Sequence, residues 1–415
     1  MTVVDQSQGA ASGAAELPGS AAVDPYRTYR LVGNACAAII LAALVAEFIW
    51  NFRHPTSRDF LSFWGAAQLV LAGHPEAAYD RAALHAVQSA VATFTRGEMP
   101  FPYPPSYLLL VIPFGLLPFA AGMIAWSLST LAFYISAARR LFPRSGWLAA
   151  AFPAVFANAA IGQNAFVTAG IFMVGLALLE SSPLAAGAVL GCLVIKPQLA
   201  LLLPVAMIAG RQWRAIAGAL MSSTGILLLG LLVFGQAATA AWLHQLPLYA
   251  AIARDGLVGW SKLGSVYAAA RLAGLASGPA ILLHALVLTA AAAAVWRIWR
   301  SDCGYGAKVA ILSAATLLAS PYVFFYDGVI LVPAFLWLAR ENARPGVLLA
   351  LWCLPLLMLA EIAAFDGAGV NLNPLVPIAL GALVYRRWRA GNAVPERHAD
   401  RLSLTVQQPS PVTLS

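Results

Sequence analysis

Asp59 stands a few residues beyond the first long apolar segment, in Thr56-Ser57-Arg58-Asp59-Phe60-Leu61-Ser62-Phe63-Trp64. A carboxylate there, opening a long aromatic-rich stretch that does not cross a bilayer, is a candidate general base, because one carboxylate suffices to take the proton of an attacking hydroxyl. The same residue at a helix start can simply cap free backbone N–H groups, and the local sequence leaves both readings open. Lys196, in Lys196-Pro197-Gln198, interrupts an apolar segment. A buried ammonium is costly unless an anion or water meets it, so Lys196 reads either as the cation for an anionic ligand or as a chain snorkelling to the interface. Asp327 follows Tyr326 in Ser320-Pro321-Tyr322-Val323-Phe324-Phe325-Tyr326-Asp327. It reads equally as a second acid in the cavity of Asp59 or as a cap. Gly162-Gln163-Asn164 breaks two further apolar segments, while Lys262 and Arg271 are loop cations that could be no more than solvated. The chemistry these groups could do is attack by a hydroxyl, with a cation stabilising an anionic leaving group.

Other chemistries lack their residues. His54, His74, His85, His244, His284 and His398 show no metal-ligand spacing. Cys36, Cys192, Cys303 and Cys353 are widely separated and read as small core residues. There is no nucleophile elbow and no phosphate-cradling glycine loop, so neither a nucleotide site, a metal nor a cofactor is expected.

The elements that must position these residues are membrane helices. Of 415 residues, 61% are hydrophobic and 10% charged, and the mean hydropathy is +0.77, outside the range of soluble domains. The net charge of +8 does not point to nucleic acid, because the basic residues cluster at the ends of apolar segments. Arg139, Arg140 and Arg144, then Arg211 and Arg214, Arg297 and Arg300, Arg340 and Arg344, and Arg386, Arg387 and Arg389 read as cytoplasmic caps. That places the Asp59 loop outside.

The expected organisation is a disordered cytoplasmic tail over 1–28, a polytopic all-α transmembrane bundle over 29–389, and a second disordered cytoplasmic tail over 390–415. The first apolar segment, about 31–50, reads as a retained anchor, because no small-residue cleavage site follows it. The external loop spans 51–103. In it Phe60, Phe63, Trp64, Ala67 and Leu71 recur at helical spacing, predicting an interfacial helix with one apolar face. Gly73-His74-Pro75-Glu76 predicts a turn, and a polar helix should follow from Tyr79 to Arg96. Phe101-Pro102-Tyr103-Pro104-Pro105 cannot be helix interior and should mark re-entry into the bilayer. Between 106 and 134, Pro113 and Pro118 leave one kinked span or two short ones open. About ten to thirteen spans are expected in all.

Several motifs in order resemble glycosyltransferase family 87: Arg58 to Ala67, Gly73-His74-Pro75 with Ala78-Tyr79-Asp80, Tyr103-Pro104-Pro105, Leu117-Pro118-Phe119, Trp126, Gly162-Gln163-Asn164, Lys196-Pro197-Gln198-Leu199 and Ser320-Pro321. The resemblance runs from about 55 to 340. It implies a membrane glycosyltransferase of the C superfamily (GT-C) in a bacterial inner membrane, with its site on the periplasmic face. It further implies a polyprenyl-phosphate sugar donor, typically mannose, a glycolipid or glycan acceptor, and an inverting mechanism with Asp59 as base. Lys196, Gln163, Lys262 and Arg271 are then the candidates for donor and phosphate, and Trp64, Tyr103, Tyr326 and Asp327 for the cavity. Where relatives in mannoside synthesis carry a histidine-containing sequence after the late Ser-Pro, this chain has Tyr326-Asp327, which leaves sugar and acceptor open. Composition alone would also allow a transporter or flippase, for which Lys196, Gln163 and Asp327 would line a path. The large loop after the first span argues against it.

Overall fold

Proline, glycine and polar tripeptides decide where the apolar helices of this chain stop. The computed structural model describes residues 26–56, 58–94, 99–365 and 370–392. The expected tails lie almost wholly outside the described residues. Every regular element among those described is helical, with two isolated β-bridges, Thr56 to Thr93 and Leu263 to Phe324.

Helix α1 (Arg30–Arg53) leads into the loop that carries α2 (Phe60–Leu71) and α3 (Arg81–Ser89). Both loop helices form, but α2 buries both of its faces, since Phe60 through Ala67 are all buried. The neighbours that enclose it are α4 (Leu108–Gly115) and α5 (Phe119–Leu141). Trp64 Nε1 donates to Leu117 O (2.9 Å), Gln68 Nε2 donates to Gly115 O (2.5 Å), and a Cβ on Gly115 would meet that of Ala67 at 2.5 Å. The polar helix is shorter than expected. Asp80 caps α3 by accepting from Ala83 N (2.8 Å), and the helix ends at Ser89.

The stretch after Ser106 resolves into two helices of unequal kind. At about 1.5 Å per residue α4 rises only about 12 Å, too little for a hydrocarbon core of roughly 30 Å, whereas α5 reaches about 35 Å. Of the two only α5 is long and apolar enough to cross, which suits an odd number of crossings between the loop and Arg139 even though Pro118 does make a turn.

The remainder alternates long outer helices with short inner ones. Four helical stretches are long and apolar enough to cross a membrane: Arg27–Arg53, Phe119–Leu141, Trp213–Ala251 and Ser277–Arg300. They show large apolar side chains to the surroundings, among them Ile39, Leu41, Leu232 and Leu286, which suits a hydrocarbon solvent. The inner helices run out and back three times, in interrupted hairpins whose arms are splayed in the first two and packed on each other in the third. The first is α6 (Gly146–Ala151) and α7 (Pro153–Ile161) returning as α8 (Ala165–Leu178); the second is α9 (Pro183–Gly191) returning as α10 (Leu203–Ala209). Beyond α11 (Trp213–Asp255), α12 (Val266–Leu272) and α13 (Ser277–Arg300), the third joins α14 (Tyr305–Ala319) to α15 (Val332–Arg340). Helices α16 (Pro345–Phe365) and α17 (Leu375–Asn392) complete the bundle.

The open ends of the hairpins share the arginine-rich side. Tyr305 Oη donates to Leu176 O (2.6 Å), Trp299 Nε1 to Lys308 O (2.9 Å), and Arg340 lies over the Phe142 ring (5.9 Å). Helices α8 and α14 rise only about 21–22 Å, so their tips stop short of the opposite boundary. Those tips are Gly162-Gln163-Asn164, Lys196-Pro197 and Ser320 to Asp327, the polar motifs of the sequence.

Candidate active site

The first hairpin sets the floor of the site. Gly162 ends α7 in the left-handed region (φ 69°), and a Cβ there would lie 2.6 Å from Phe60 Cβ, so only glycine lets the tip approach the start of α2. Gln163 is fixed behind it by Asn158 O, which accepts from Gln163 N (3.1 Å), and by Trp126 Nε1, which donates to Gln163 O (3.3 Å). Its side-chain Oε1 accepts from Asn164 N (2.9 Å) and from Tyr103 Oη (3.5 Å). With Oε1 so occupied, Nε2 points outward and donates to Asp59 Oδ2 at 2.9 Å.

Asp59 does not cap α2. Its backbone is helical (φ −60°, ψ −28°), not the extended conformation of a capping residue, and its side chain accepts no bond from the first turn. The carboxylate is instead held in the site by the aromatic packing of Phe60 on Phe119, Phe63 and Trp126, and by the ion pair of Arg58 with Glu47 of α1. Oδ1 makes no hydrogen bond among the described residues. Burial pushes the Asp59 carboxyl up from its ordinary value, against the Gln163 bond and the positive charges of Lys262, Lys196 and Arg58, which pull it down.

The other tips meet each other. Lys196 Nζ donates to Asp327 Oδ1 at 2.6 Å, with both side chains almost fully enclosed, and stands 5.0 Å from the centre of the Tyr326 ring. Asp327 Oδ2 also accepts from Phe324 N (3.0 Å), so Asp327 caps the turn into α15 and neutralises Lys196 at once. Lys196 does not snorkel, and the anion that meets it in this structure is the Asp327 carboxylate. Tyr322, which sequence reasoning passed over, feels both Asp327 and Asp59. Burial first, then these two carboxylates, push its phenol up to about 12.

Lys262 completes the group. Its loop is pinned by Gly264 N donating to Val323 O (2.7 Å) and by Asn371 Nδ2 donating to Trp260 O and Leu263 O (2.9 and 2.7 Å). The Lys262 ammonium acts on Asp59 and has no hydrogen bond or ion pair among the described residues. Asn371 was also missed. Its signal was the polar Asn371-Leu372-Asn373-Pro374 immediately before a span.

Two expected site residues lie elsewhere. Trp64 spends its indole N–H on Leu117 O and packs edge-on against Phe119 (6.0 Å), so it anchors α2 and does not line the cavity. Arg271 donates to Leu275 O (3.0 Å) and covers Trp260 (5.3 Å), closing the end of α12 away from Asp59. The structure brings together Asp59, Gln163, Tyr103, Lys196, Tyr326, Asp327 and Lys262.

A half-buried carboxylate, one of whose oxygens is unbonded among the described residues, beside the Lys262 cation and tyrosines, is equipped to deprotonate a hydroxyl and receive an anion. The sequence profile of glycosyltransferase family 87 matches residues 101–321, just over half the chain. The chain belongs to glycosyltransferase family 87. No curated protein and no solved structure matches it. Family 87 is a GT-C membrane family, in keeping with the all-helical fold and its four long apolar helices. The chain is therefore a membrane glycosyltransferase working between a sugar donor and an acceptor, and the transporter reading falls. The matched stretch contains Tyr103, Gln163, Lys196 and Lys262 but not Asp59, Tyr326 or Asp327, whose assignment rests on the geometry.

Proposed function

We propose that this family 87 enzyme transfers a hexose, mannose in the first instance, from a polyprenyl-phosphate donor to a hydroxyl of a glycolipid or glycan acceptor at the external face. The reading rests on one observation: Asp59 Oδ2 is held by Gln163 while Oδ1 makes no hydrogen bond among the described residues, within the field of the Lys262 ammonium. In this reading Oδ1 takes the acceptor proton as its oxygen attacks the anomeric carbon, and the phosphate departs from the opposite face with inversion. Lys262 meets the charge that develops on the phosphate. Lys196, already neutralised by Asp327, contributes by holding the second and third tips together beside the donor. Gln163 orients the base, and Tyr103 and Tyr326 supply ring faces and hydroxyls for a sugar.

The lipid donor accords with a site set among short helices below the boundary of the bundle, where a membrane-dissolved substrate can present its head group. The arginine-rich hairpin ends support an external site by charge bias. Membranes carrying the enzyme, given polyprenyl-phosphate mannose labelled in the sugar, should form a labelled product of opposite anomeric configuration. The same membranes with Asp59→Asn should form about 10²–10⁴-fold less. Retained configuration, or transfer from a nucleotide sugar alone, would overturn the proposal.

A further inference from the structure

On the arginine-rich side, far from Asp59, an open surface cavity of about 470 Å³ lies between α5 and α8, lined by Phe133, Ser136, Ala137, Arg139, Arg140 and Val174. Its lining is graded. Phe133 and Ala137 lie about two turns and one turn inside the end of the α5 span, Val174 adds an apolar side chain from α8, and Arg139 and Arg140 form the outer lip in the last turn of α5. Both arginines are exposed, and neither has a hydrogen bond or ion pair among the described residues. Arg139 is nonetheless positioned, because its methylenes pack where a Cβ on Gly146 would come within 2.7 Å. The wall is equally fixed: a Cβ on Gly170 of α8 would sit 2.3 Å from the Phe133 ring. Ser136 Oγ donates back to Ala132 O (2.7 Å), so the two guanidiniums are the donors that face the opening.

We propose that this cavity binds an anionic phospholipid, with the phosphate between Arg139 and Arg140 and an acyl chain along Phe133 and Val174. A guanidinium pair suits phosphate oxygens, and the apolar wall starts where the acyl region begins at the end of a span. The partial negative charge of the α5 C-terminus opposes an anion, but it is a fraction of one charge against two full cations. This proposal is independent of the identity of donor and acceptor.

The test uses the full chain in zwitterionic detergent with equal amounts of phosphatidylglycerol and phosphatidylcholine, reading bound lipid by native mass spectrometry. Phosphatidylglycerol should be retained, and Arg139→Gln with Arg140→Gln should weaken that retention roughly thirty-fold, as two surface-charge contacts would supply. Arg386→Gln with Arg389→Gln, removing the same charge from the same side at exposed positions, should leave it unchanged. Val174→Trp, which fills the wall with the charges intact, should weaken it as well. Equal loss from both arginine pairs, or no loss from Arg139 and Arg140, would overturn the site. So would displacement of the lipid by glycerol 3-phosphate at matching concentration, which would reveal a site for a free anion. Unchanged thermal midpoints of the variants in lipid-free detergent separate lost binding from misfolding.

Discussion

Asp59 can be tested apart from its neighbourhood because its side chain does no capping. Asp59→Asn keeps an acceptor for Gln163 Nε2 but loses the base, so transfer should fall by about 10²–10⁴-fold in a labelled-sugar assay. The folded variant should also be at least as stable as the native protein near neutral pH. The reason is the sign of the shift. A carboxyl raised by burial holds its proton to higher pH in the folded chain than in the unfolded one, so the folded state binds more protons between the two values. Its contribution to stability is most favourable below the unfolded value, declines as pH rises through that window, and stays at its lowest above it. Asparagine removes the decline. The same shift places the acid limb of kcat/KM above the ordinary carboxylate range, since the base must be ionised. Lys262→Met and Gln163→Leu each remove an influence that holds the carboxyl down, so both should move that limb to higher pH. A limb that stays in place in both variants would separate the titrating group from Asp59. Asp59 was legible in the sequence as a carboxylate at the head of a non-spanning loop. Its freedom from capping was not, because backbone angles at a helix start depend on what Phe60 packs against.

At the scale of elements, the polar tripeptides were legible as interruptions, since glycine, proline and amide side chains inside apolar runs have few places to go in a bilayer. Their pairing was not legible, because Lys196 and Asp327 are 131 residues apart and nothing local selects one partner over another. That pairing changes what a substitution at Lys196 should do. Lys196→Met leaves Asp327 buried without its counter-charge and should cost about 3–5 kcal/mol, seen as a lower thermal midpoint in detergent. Adding Asp327→Asn, which keeps the acceptor for Phe324 N, should restore most of the loss. Near-native transfer by the restored double variant would confine Lys196 to holding the tips together. Gly162→Ala should be costly for a different reason, strain at positive φ together with the contact on Phe60, about 1–3 kcal/mol from the backbone alone. Gly346→Ala, where a Cβ meets nothing within 4 Å, is the matched control.

For the whole molecule, a helical membrane protein was legible in the hydropathy of the sequence, and the arginine clusters mark one side of it. The sequence left the stretch after Ser106 undecided between one span and two, because proline position says where a helix turns and not how deep it lies. The structure separates a short helix that cannot cross from a long one that can, and this makes orientation testable at one exposed position. Ser89 ends α3 on the same loop as Asp59, and its hydroxyl bonds only back to His85 O within the helix, so a cysteine there disturbs no packing. Ser301, after Arg300 at the end of α13, belongs to the opposite side and accepts from Trp388 Nε1, so the neighbouring Asp302 is the better reporter there. If the arginine-rich side is cytoplasmic, Ser89→Cys should label with an impermeant thiol reagent in intact cells and Asp302→Cys only after permeabilisation. The native cysteines are all partly enclosed, and a variant lacking them provides the background. The reverse pattern would put Asp59 on the cytoplasmic face, where a nucleotide sugar is within reach, and would remove the physical reason for a lipid-borne donor.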